Sequence, residues 1–185
     1  MPAQHNETYI SVDVETAGPN PAGYSLLSIG ACTVFDPLET FYLELQPVHE
    51  DFSPEALQIS GLNMDELREH GTPPRQGMQQ LADWVKKVMP GSSKPVFVAF
   101  NAPFDWMFVN DYFHRYLGHN PFGHSAIDMK AFYMGLRGVS WGETGMDSIS
   151  EYLTGKRTLS HHALQDARDQ AELFRKMLEK AKRRD

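Results

Sequence analysis

The sequence predicts a three-layer α/β domain built on a mixed sheet. Two observations point there: residues compatible with strands come first, and helical patterns then alternate with a further strand. Apolar and polar residues alternate near the N-terminus, whereas apolar stripes at helical spacing dominate after residue 72.

The first strand is expected over residues 9–15, where Ile10, Val12 and Val14 alternate with Ser11, Asp13 and Glu15. Residues 24–35 and 40–46 supply the next two strands, and Asp36-Pro37-Leu38-Glu39 makes a short hairpin connection between them. A helix follows over about 72–89, because Met78, Leu81, Trp84, Val85 and Val88 form one stripe. The apolar run at 95–100 predicts a buried strand, and about 103–117 a helix. A short segment at 125–128 then leads into a helix from Met129. The last helix is expected over about 162–182, with Ala163, Ala167, Ala171, Phe174, Leu178 and Ala181 on its inner face.

A chain of 185 residues can bury a full core, and its 41% hydrophobic and 22% charged content excludes disorder and collagen. No period of 20–50 residues repeats and no low-complexity linker divides the chain, so one domain is expected over 1–185 with its core at about 9–178. The apolar runs are strand-sized, which argues against a membrane partner. The N-terminal MPAQHNET shows no basic region followed by an apolar one, so no secretory leader is expected. Cys32 is the lone cysteine, which excludes an internal disulfide and thiolate-cluster zinc sites and fits a cytoplasmic protein.

The net charge of −7 is unevenly spread. Residues 1–155 hold 8 basic against 19 acidic side chains, and residues 156–185 hold 9 against 5. An acidic body disfavours tight, non-specific duplex binding. The basic end suits the dipole of a C-terminal helix and is compatible with short or single-stranded nucleic acid. Residues 89–94 lack the second glycine of a phosphate-binding P-loop, and His114, His119 and His124 form no helical i, i+4 zinc pair.

Carboxylates are the chemical signal. Asp13 and Glu15, two apart on a strand, project from one face, where two like charges repel. A solvent-facing edge strand would explain them equally well. Asp105 lies near a helix start among Phe104, Trp106 and Phe108. It either supports the helix N-terminus or is held in an apolar setting for a purpose. Asp166 borders the inner face of the last helix and needs a partner there, while Asp169 is expected to face solvent. His161 points toward Asp166 only if it sits in the loop before the helix, and His162 is its rival.

Asp13-Val14-Glu15-Thr16-Ala17-Gly18, Asn101-Ala102-Pro103-Phe104-Asp105 and His161-His162-Ala163-Leu164-Gln165-Asp166 stand in this order along the chain. They resemble the three motifs D-x-E-T-x-G, N-A-x-F-D and H-x-A-x-x-D of the DnaQ-like exonucleases. The histidine spacing matches their DEDDh branch, the ribonuclease T, oligoribonuclease and proofreading-subunit type. The resemblance runs from about Tyr9 to Leu178 and includes Ser53 to Leu62. Asp128 sits where relatives carry Asp-Thr.

This resemblance implies a ribonuclease-H-like fold, a mixed five-stranded sheet with helices on both faces. It further implies two divalent cations, Mg²⁺ or Mn²⁺, on Asp13, Glu15, Asp105 and Asp166, with His161 as general base. Glu15, Thr16 and Phe104 are expected to contact substrate, although core packing is the stronger claim on Phe104. The implied activity is 3′–5′ exonucleolysis of single-stranded or short DNA or RNA, releasing 5′-mononucleotides, with a homodimer as the expected assembly. Hard cations prefer oxygen ligands, and two of them ~3.5–4 Å apart suit the charge that builds up in phosphodiester hydrolysis. A catalytically inactive nucleic-acid-binding relative and a metal-dependent phosphatase are the alternatives on the same carboxylates.

Overall fold

The computed structural model describes residues 6–154 and 162–182. Five strands form one mixed sheet in the order β3-β2-β1-β4-β5. Strands β1 (Glu7–Thr16), β2 (Leu26–Thr33) and β3 (Thr40–Glu44) pair antiparallel, whereas β4 (Lys94–Ala99) and β5 (Ala126–Asp128) run parallel to β1. Helices cover both faces, as expected. The helices are α1 (Pro54–Ser60), α2 (Met64–His70), α3 (Pro74–Val88), α4 (Ala102–Leu117), α5 (Met129–Arg137), α6 (Met146–Thr154) and α7 (Ala163–Lys182).

The alternation in β1 divides the core. Ile10, Val12 and Val14 face α3 and α4, where Met78, Leu81, Val85, Phe108, Tyr112 and Phe113 are buried. The opposite face packs Cys32, Val34 and Val98 against Met129, Tyr133, Phe174 and Met177 of α5 and α7. All eight residues of β2 are buried, the mark of a strand covered on both sides. Truncating a side chain such as Phe108, fully enclosed here, would cost ~3–5 kcal/mol.

Sequence and structure differ mainly at boundaries and in short helices. Helix α3 begins at Pro74, later than residue 72, because proline suits the first helical turn and holds Pro73 before it extended. Helices α1, α2 and α6 had no predicted counterpart. Helix α1 buries none of its seven residues and so carries no apolar stripe to read. It is fixed instead by its ends, with Ser53 capping its start and Gly61 in a left-handed conformation (φ 68°) at its close.

Three local features set up the end of the sheet where β1 finishes. The β1–β2 register shifts between Glu15 and Thr16, and the Leu26 N–H donates to the buried Tyr112 hydroxyl at 2.9 Å. Asn101 turns β4 into α4 through a left-handed conformation (φ 61°), one that asparagine tolerates better than most residues. Gly30 lies opposite Asp13, and a Cβ there would collide with the backbone of Ala163 and Leu164. The absence of a side chain at Gly30 therefore lets the first turn of α7 rest directly on β2.

Candidate active site

The close seating of α7 delivers Asp166 to the face of β1 that bears Asp13 and Glu15. Ligand oxygens of these three carboxylates lie within 4.8 Å of one another. Asp166 is only 4% exposed, and Asp13 and Glu15 are partly buried. The edge-strand alternative for Asp13 and Glu15 is thereby removed, since β1 is the middle strand and α7 covers this face.

Asp105 stands beside this group and is also 4% exposed. Its Oδ1 accepts from the Val14 backbone N–H at 3.1 Å, so it links α4 to β1 and does not serve solely as a helix-end charge. The first turn of α4 is anchored by Asp128, whose Oδ2 accepts from Ala102 N and Oδ1 from Ala131 N, both at 2.7 Å. One carboxylate thus satisfies an otherwise unpaired N–H at the start of each of two helices.

Gln170, one turn beyond Asp166, is 2% exposed and joins all the parts. Its Nε2 donates to Asp13 Oδ1 at 2.6 Å, and its Oε1 accepts from Phe100 N at 2.9 Å. The amide ties α7 to the middle of β1 and to the end of β4. Gln170 carries no signal in the sequence, because an amide bridge between residues far apart in the chain leaves no local pattern.

Electrostatics follow from crowding. Burial, then the charges of Asp105, Glu15 and Asp166, push the Asp13 carboxyl well above the usual range, and the Gln170 bond opposes them. Burial and Asp166 push Glu15 up to about 7. Burial also raises Asp105 strongly against the opposing Val14 N–H bond, with the Glu15 and Asp128 charges adding to the rise. Among the described residues, no lysine or arginine forms an ion pair with Asp13, Glu15 or Asp105. A converging, oxygen-only donor set of this kind fits a divalent cation.

The remaining expected residues fall as follows. The Thr16 hydroxyl donates to the Gly18 carbonyl at 2.9 Å, inside the turn that ends β1. Phe104 is partly buried against the core, its ring 5.5 Å from that of Phe108. Asp169 is partly exposed and accepts from Gln165 at 2.9 Å in an exposed bond. His161 lies outside the described residues. Its rival His162 stacks on Tyr42 with ring centroids 4.8 Å apart.

Comparison with known proteins agrees with this geometry. The RNase T family model, described as Exonuclease, matches residues 10–174. The chain is 46% identical over 179 residues to the Escherichia coli protein named 3′–5′ DNA exonuclease Cap18, covering 95% of this chain and 96% of that one. It is 29% identical to Ribonuclease T of Klebsiella pneumoniae subsp. pneumoniae, covering 94% and 86%. The fold superposes on the nuclease domain of 3′hExo, a DEDDh family member bound to rAMP, with a TM-score of 0.80 at 18% identity over 96% and 94% of the chains. It also superposes on E. coli Exonuclease I in complex with a dT13 oligonucleotide, with a TM-score of 0.73 at 19% identity over 96% of this chain and 42% of that one. Three ordered motifs, a ribonuclease-H-like sheet and a match spanning nearly the whole sequence together make this chain a member of the RNase T family of 3′–5′ exonucleases.

Proposed function

We propose that this exonuclease removes nucleotides singly from the 3′ end of single-stranded or short DNA, releasing 5′-mononucleotides. The convergence of Asp13, Glu15 and Asp166 within 4.8 Å is the observation that carries the reading. The preference for DNA draws on the 46%-identical relative named a DNA exonuclease, set against 28–30% for relatives named Ribonuclease T.

Asp13, Glu15 and Asp166, with Asp105 beside them, would hold two divalent cations, Mg²⁺ or Mn²⁺. Bound there, such ions make the attacking water more acidic and offset charge at the departing 3′ oxygen. The chain's own residues do the rest. Gln170 and the Val14 N–H fix the carboxylates of Asp13 and Asp105, so little reorganisation accompanies reaction. His161, five residues before Asp166, takes the proton from the attacking water, the role its family spacing implies. Glu15, Thr16 and Phe104 seat the terminal nucleotide. A single domain working as a homodimer in the cytoplasm completes the proposal, and the lone thiol of Cys32 is consistent with that compartment.

The test is a digest of matched 5′-labelled DNA and RNA single strands with Mg²⁺ or Mn²⁺. A ladder of 3′-shortened DNA, faster than that of RNA and absent for Asp13→Ala, is expected. Intact strands beside a cleaved phosphomonoester substrate would overturn the reading.

A further inference from the structure

Beyond the carboxylates, on the side of β4 and β5, lies an arrangement that the chemistry above does not use. Phe100, at the end of β4, is adjacent to Asp13, because the amide of Gln170 bridges its N–H to the Asp13 carboxylate. The ammonium of Lys130, in the first turn of α5, stands 5.7 Å from the centre of the Phe100 ring and 4.3 Å from that of Trp141. Trp141 is 52% exposed. Its backbone is nevertheless held by a capped turn. It opens a short 3₁₀ turn in which Ser140 N and Oγ donate to Glu143 Oε2 at 3.1 and 2.6 Å, and the Thr144 hydroxyl donates to the Trp141 carbonyl at 2.7 Å.

Two properties distinguish this feature from an ordinary exposed aromatic. Lys130 forms no ion pair with a described carboxylate, although the protein carries a net charge of −7. Both oxygens of nearby Asp128 are already engaged by backbone N–H groups. Phe100, Lys130 and Trp141 therefore form a line of ring, cation and ring leading away from the acidic cluster. Single-stranded nucleic acid is bound by such a combination, with bases stacking on aromatic faces and phosphates meeting cations. Residues 1–155 carry an excess of acidic side chains, so a cation among them without an ion pair to a described carboxylate has value for directing a strand.

We propose that Phe100, Lys130 and Trp141 are a binding track for the strand that lies beyond its terminal two nucleotides. A base stacks on the open face of Trp141 and a phosphate is held by Lys130. The proposal rests on the exonuclease reading above and adds to it a site that grips substrate without taking part in bond cleavage.

The test compares the parent with Trp141→Ala, Trp141→Phe and Lys130→Gln on oligo-dT of two to twelve nucleotides, measuring kcat and KM at several salt concentrations. Thermal melting confirms that each variant is folded. Trp141→Ala should raise KM about ten-fold or more on the longer strands, in keeping with the loss of one stacked base. It should leave kcat, and all parameters on the dinucleotide, within about two-fold, and Trp141→Phe should recover most of the loss. Lys130→Gln should reduce the slope of log KM against log salt by about 0.7. An unchanged KM on long strands for both Trp141→Ala and Lys130→Gln, or an equal loss on the dinucleotide, would overturn the track and leave the exonuclease reading standing. A parent that degrades no strand of any length would overturn both.

Discussion

Glu15→Gln should make the metal-free protein more stable at alkaline pH, although it removes a proposed metal ligand. Burial and the neighbouring Asp166 raise the Glu15 carboxyl from an ordinary 4.5 to about 7, so the folded state holds its proton more tightly than the unfolded chain does. The stability linked to that proton is fully present below about pH 4.5 and is lost as the pH rises to about 7. That rise in pKa corresponds to about 2–3 kcal/mol after allowance for solvent at the partly exposed edge of the site. Glutamine keeps the shape and carries no charge. The variant should therefore match its parent at pH 4 and exceed it by pH 8, by roughly 4–12 °C in Tm for a domain of this size. Thermal melts in EDTA at pH 4, 6 and 8 measure the difference. Saturating Mn²⁺ should cancel most of the difference, because the parent gains about 2.7 kcal/mol at a hundred times its Kd and the variant gains less. Equal or lower stability of Glu15→Gln in EDTA at pH 8 would refute the claim that the crowded carboxylates strain the fold.

Gln170→Leu removes the donor to Asp13 and leaves the Phe100 N–H without its acceptor. It should cost ~1–3 kcal/mol by thermal or urea melts and weaken Mn²⁺ binding by calorimetry, with kcat falling more than KM changes. Asp128→Ala should cost about 1–2 kcal/mol for two lost helix-start bonds, read by the same melts, and should lower kcat by freeing the turn that carries Asp105. His161→Ala should reduce kcat ~10²–10⁴-fold while the metal-induced rise in Tm persists. A larger kinetic loss for His162→Ala would move the base to the neighbouring position.

Local signals singled out the acids, and the resemblance of three ordered motifs joined them into one site. Alternation put Asp13 and Glu15 on one strand face, the helical track put Asp166 at the edge of a buried stripe, and Asp105 stood out by its aromatic neighbours. The sheet and its layering followed from periodicity. What escaped depends on contacts made only after folding. Gln170 is an ordinary polar residue until its amide meets Asp13 and Phe100. The role of Asp128 appears only when two helix starts converge on it. Trp141 gives no sign in the sequence of being held exposed above Lys130. Short helices such as α1 escaped for another reason, since a helix that buries nothing has no hydrophobic period.

The bare backbone of Gly30 beneath the start of α7 has a temporal consequence. The residues of β1 are synthesised long before those of α7, yet its acids meet Asp166 only when that helix settles into the notch. A chain in which α7 has not docked therefore lacks one of the three converging acids, so the cage exists only when both ends of the sequence are folded together.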